Sequence, residues 1–200
     1  NFVSTSAAQQ TINTGGKTLT NVLINGAGSS YILAAALTQT AGFTLSAGIF
    51  NTGNFNMTMA SINYGNTTAR TLTLGSSAIT LTATANVLTG TAVTNLTVTA
   101  NTAVITSTGN VTGNNNLLVL FGINWNGLSW VHNGGGQYSI NASGGTLSSL
   151  TLNGVAAKTE AVRFTTNITI TGPFAAYGNW AVNRVLVLGP KRGVAWVLAV

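Results

Sequence analysis

Carboxylates are almost absent from this chain of 200 residues: Glu160 is the one acidic side chain, and there is no Asp. Cysteine is missing, His132 is the single histidine, and proline occurs twice. Each absence excludes something. General acid/base catalysis, metal binding and most nucleophile activation draw on Asp, Glu, His, Cys and Lys, so the composition argues against an enzyme. Glycoside hydrolysis normally needs two carboxylates across the scissile bond, and one chain cannot supply them. Repeat β-rolls that hold calcium use an Asp in every repeat. Zinc has one strong candidate ligand, His132. No catalytic residue, metal or cofactor is therefore expected. The lack of Cys also rules out a disulfide-stapled scaffold.

Ions are scarce as well. Charged residues make up 4% of the chain, against about 25% in ordinary globular domains. The net charge of +6 arises from seven bases, and it is high because acids are missing rather than because bases are dense. Five of them (Lys158, Arg163, Arg184, Lys191 and Arg192) follow residue 157, without the packed basic stripe of a nucleic-acid binder. No nucleic-acid partner is expected. Glu160 lies between Lys158 and Arg163 and reads as a surface ion pair, worth at most about 1 kcal/mol. His132 follows Trp130, precedes the glycines at 134–136 and has no nucleophile elbow nearby. It reads as a loop histidine. The apolar stretches at 31–37 and 117–123 are far shorter than the ~20 residues that span a bilayer, so no membrane span is expected. Both ends are apolar and strand-like. They read as cut from something longer, to be covered by further sequence or by neighbouring subunits.

What is present is alternation. Thr71-Leu72-Thr73-Leu74, Asn95-Leu96-Thr97-Val98, Leu150-Thr151-Leu152 and Ile168-Thr169-Ile170 all have the period of half-buried strands. Asn25-Gly26, Asn126-Gly127, Asn133-Gly134 and Asn153-Gly154 read as tight turns, because both residues tolerate positive φ. No 3.6-residue period is sustained. Hydrophobic residues are 45% of the chain, enough for a core. The fold class is all-β.

A weak internal repeat runs through the chain. Gly15-Gly16 and an alternating run to Gly26 resemble Gly144-Gly145 and the run to Gly154. Arg70-Thr71-Leu72-Thr73-Leu74-Gly75 matches Arg184-Val185-Leu186-Val187-Leu188-Gly189. The copies span 75 − 15 = 60 and 189 − 144 = 45 positions, a difference that one short coil of a stacked array would explain. The expected architecture is an elongated β-solenoid or β-helix-like repeat, with a β-sandwich as the alternative. Residues 1–82 form a first repeat unit, 83–136 an intervening Asn/Thr/Trp-rich segment, and 137–200 a second unit.

The Gly-Gly opening, the alternating run, the Asn-Gly turn and the Arg-x-Leu-x-Leu-Gly exit resemble the β-strand repeat proteins of phage virions and bacterial surfaces. That resemblance implies a fibre- or adhesin-like role and no catalytic residues. The expected function is a rigid β-scaffold in a virion fibre, virion surface or extracellular filament, partnered by copies of itself or neighbouring subunits. The alternative is a carbohydrate-binding adhesin module with a host-surface polysaccharide as ligand. Trp125 and Trp130 are the ligand contacts in that case, provided they stand exposed in a groove. Arg70 and Arg184, at matching repeat positions, are expected to cap backbone carbonyls at turns.

Overall fold

A computed structural model describes all residues except 91, 121, 155–159, 179–184, 190–197 and 200. It contains strands and connecting turns only. The first strands are β1 (Gln9–Ile12), β2 (Thr18–Leu19), β3 (Val22–Leu33), β4 (Leu37–Gln39), β5 (Phe43–Asn51), β6 (Met57–Met59) and β7 (Ile62–Asn63). Then come β8 (Arg70–Thr73), β9 (Ala78–Leu81), β10 (Leu88–Thr89), β11 (Leu96–Thr99), β12 (Val104–Ser107), β13 (Val111–Val119) and β14 (Asn124–His132). The rest are β15 (Gly136–Asn141), β16 (Thr146–Asn153), β17 (Glu160–Phe164), β18 (Ile168–Ile170), β19 (Phe174–Tyr177), β20 (Val185–Leu188) and β21 (Leu198–Ala199).

Every pairing between these strands is parallel, and most strands pair with the strands about one coil before and after them in sequence. The chain is thus a β-solenoid. Three strand columns run along it. The first holds residues 22–24 of β3 and 43–45 of β5, then β7 and β10, then Leu118, Ile140 and Phe164. The second holds β1 and the later halves of β3 and β5, then β8 and β11. It resumes with the opening residues of β14 and β16, then β18 and β21. The third holds β2, β4, β6, β9 and β12, the later halves of β14 and β16, and β19.

Inward side chains stack in rows. Val22, Phe43, Ile62, Leu88, Leu118, Ile140 and Phe164 occupy one register position of the first column, and all are buried. Leu37, Met57, Ile79, Ile105, Trp130 and Leu150 do the same in the third. Removing each large apolar side chain from water contributes roughly 1.5–3 kcal/mol, and every coil supplies several. Stacking coil on coil is what makes one continuous core from strands too short to fold alone.

Two expectations need correction. Two of the four Asn-Gly pairs are not turns between strands. Asn25-Gly26 and Asn126-Gly127 lie inside β3 and β14, where the register slips and the strand bends round a corner of the coil. The two sequence copies are not structurally equivalent. Gly15-Gly16 leads into the third column through β2, whereas Gly144-Gly145 leads into the second through Thr146 and Leu147. β20, which follows Arg184, pairs with β17, whereas β8 lies on the second column. The match reflects a shared grammar of strand and corner. The sheets also continue across 82/83 and 136/137, because β9 pairs β12 and β13 pairs β15, so the three sequence units stack in one solenoid.

Candidate functional site

The third column carries the most regular surface. Its outward residues pair in the order Thr18, Thr38, Thr58, Thr80, Thr106, Val131, Thr151 and Ala175. Five consecutive coils therefore present threonine at one register position, with no register shift among them. Just past the end of each strand, two residues on, stand Thr20, Thr40, Ala60, Thr82 and Thr108, a second rank at the corner. The corner residues are held by the coil before: Thr40 N donates to Leu19 O, Thr82 N to Met59 O and Thr108 N to Leu81 O. Their hydroxyls reach the preceding coil as well, Thr40 Oγ1 to Thr20 O at 3.4 Å, Thr82 Oγ1 to Met59 O at 3.3 Å and Thr108 Oγ1 to Leu81 O at 3.4 Å. Neither rank contains a charged side chain. Thr18, Thr20, Thr38, Thr40, Thr58, Thr82 and Thr108 are exposed, and Thr80 and Thr106 half-buried.

Arg70 faces the interior of the second column and is 2% exposed. Its Nε donates to Tyr64 O at 2.7 Å, Nη1 to Thr68 O at 2.7 Å and Thr94 O at 3.1 Å, and Nη2 to Ala92 O at 2.8 Å. The guanidinium fork thus closes the corner of its own coil and that of the next. Four carbonyl dipoles surround the cation. Arg184 and Lys158 lie outside the described residues, and so does the side chain of Glu160. Arg163 is exposed on β17.

His132 is no loop residue. It ends β14, faces inward and is fully buried, with Nδ1 2.8 Å from Ser107 Oγ on the adjacent coil and its ring edge-on to Tyr138. Burial pushes its pKa down to about 4, and contacts with the Gly134 and Ser107 backbone offset this only in part. The pair resembles two members of a hydrolytic triad, but both side chains are sealed inside the core, where no substrate reaches them.

Trp125 and Trp130 are also fully buried, which removes them as ligand contacts. Trp130 packs in register between Ile105 and Leu150, and the ring of Trp125 lies 5.5 Å from that of Tyr64. The bend between Trp125 and Ser129 resets the strand's alternation, so two residues five apart both point inward. The surface feature close to them is different. The second column is interrupted: β11 pairs with β8 only, and the column resumes at β14. At the gap lies a cleft of about 380 Å³ lined by Val98, Thr99, Ala100, Asn101, Asn124, Gly127 and Ser148. Leu96 and Val98 face inward yet remain half-buried, because no next strand covers them.

Sequence reasoning missed the threonine array as a unit. Its signal was available: Thr-x-Thr at 18–20 and 38–40, Thr-Met-Ala at 58–60, and Thr-x-Thr again at 80–82 and 106–108, in steps of 20, 20, 22 and 26 residues. No protein-family model, curated protein or solved structure matches the chain.

Proposed function

We propose that the chain is a rigid β-scaffold, a structural component of a virion fibre, virion surface or extracellular filament. The observation that carries this reading is the continuous parallel stack, with apolar rows filling the interior and hydroxyl and amide side chains covering much of the outside. A structure in which each coil is hydrogen-bonded to its neighbours resists bending and needs neither disulfide nor metal to hold it. The outer edges of β1 and β2 are unpaired among the described residues, and such edges accept a further coil or a neighbouring subunit. The described residues include no helix long and apolar enough to cross a membrane. The role is mechanical, not catalytic. Immunogold electron microscopy of the source particles or cells tests it. Label should follow fibres or surface projections. Label confined to the soluble cytosolic fraction contradicts the proposal.

The cleft favours a second reading, a carbohydrate-binding adhesin module whose contacts differ from those expected. With the tryptophans buried, Thr99, Asn101 and Ser148 would supply the hydrogen bonds to a neutral sugar. Glycan-array binding that is lost in Asn101→Ala supports it, and an array blank at millimolar glycan removes it.

A further inference from the structure

We infer that the threonine face of the third column binds ice. The inference goes beyond the scaffold reading and does not depend on it. Of ten positions across five coils, five paired in register and five at the corner two residues on, every one except Ala60 is threonine. Strand propensity alone does not produce this. The second column obeys the same backbone rules, yet its outward ranks read Gln9, Ser30, Ile49, Thr71, Thr97 and Thr11, Ile32, Asn51, Thr73, Thr99. One residue type is repeated in register on one face and mixed on its neighbour.

Parallel pairing fixes the geometry of the array. Coils stand about 4.8 Å apart along the first rank, so its five threonines cover about 19 Å, and the second rank follows just past the strand ends. Threonine is stiff at χ1 and offers one hydroxyl beside one methyl; in the first rank that hydroxyl can both donate and accept, whereas those of Thr40, Thr82 and Thr108 already donate to the preceding coil and present acceptor lone pairs. The result is a rigid two-dimensional grid of hydroxyls and methyls. Such a grid matches a partner that is flat, neutral, periodic on the same scale and hydrogen-bonding through both donors and acceptors. The surface of an ice crystal has these properties, and the absence of ions from both ranks avoids binding a mobile hydration shell. Two other occupants fit less well. Sugar rings dock on exposed aromatics, and none stands among these five coils' ranks. A second protein copy would need aromatic or Arg anchors, which the ranks also lack.

The test uses the full chain at sub-zero temperature, measuring thermal hysteresis by nanolitre osmometry and inhibition of ice recrystallisation. Three variants accompany it: Thr58→Tyr and Thr82→Tyr, which set a bulky ring on the grid at exposed positions, and Thr97→Tyr on the second column as control. Circular dichroism and melting temperature confirm folding, and if one grid variant fails to fold the other carries the comparison. The expected result is measurable hysteresis and recrystallisation inhibition in the wild type. Both should fall severalfold in the grid variants and be retained in Thr97→Tyr. A folded wild type without either activity overturns the inference. So does equal activity in a folded grid variant. Co-sedimentation with crystalline cellulose or chitin that Thr58→Tyr abolishes, without any effect on ice, would assign the face to polysaccharide instead and equally overturn it.

Discussion

Ser107 Oγ lies 2.8 Å from His132 Nδ1 across one step of the stack, with both residues sealed from solvent. Because His132 is the chain's only histidine and Glu160 its only acidic side chain, this contact dominates the acid sensitivity of the fold. Burial holds the imidazole neutral, with its pKa near 4 against the usual 6.5. Between those values the unfolded chain binds a proton that the folded chain refuses. Stability is therefore complete above about pH 6.5 and declines as pH falls toward about 4, by roughly 3 kcal/mol in all. Urea midpoints at pH 7, 5.5 and 4.5 should show this decline. In His132→Gln the slope over that window should flatten, and an unchanged slope would assign the acid sensitivity elsewhere.

Arg70 gives a second prediction. Truncation to Ala removes the guanidinium donors from the carbonyls of Tyr64, Thr68, Ala92 and Thr94, of which Ala92 O keeps the Asn66 N–H. The expected loss is about 3 kcal/mol. Arg70→Lys should recover little, since one ammonium cannot reproduce a planar fork. Equilibrium unfolding of both variants checks this, and a near-wild-type Lys variant would show that charge alone suffices.

Gln39 should respond in the opposite sense. It faces the core of the third column, 3% exposed, and neither amide atom has a hydrogen-bond partner. Leu19 is its register neighbour, and Met57 and Met59 on β6 are buried in the coil that follows. Gln39→Met replaces an unsatisfied buried amide with an apolar side chain of similar length. Stability should rise by about 1 kcal/mol, read as a higher denaturant midpoint. A fall would mean that the amide is satisfied in solution.

Much of the fold was legible because alternation reports which face of a strand is buried. Arg70, Leu72 and Leu74 share a parity and are all buried, so an inward arginine could be read from the sequence. Trp125 and Trp130 could not be read this way. They differ in parity, and only the bend between them brings both inside. Bends at Asn25-Gly26 and Asn126-Gly127 read as tight turns locally because Asn and Gly tolerate positive φ, yet only Gly127 (φ 89°) of these four residues adopts it, and at the first bend Gly28 (φ 76°) does so instead. Whether the chain turns back or turns a corner is decided by pairing with distant coils. The threonine array was hidden for a related reason: coils of unequal length blur any fixed period, and only the register aligns them.

The most direct test of the scaffold account is X-ray fibre diffraction from oriented native assemblies that contain the chain. A solenoid that carries load along its axis places its strands across the fibre. The account predicts a meridional reflection at about 4.7–4.9 Å. The same spacing on the equator, or no β-spacing at all, would contradict it.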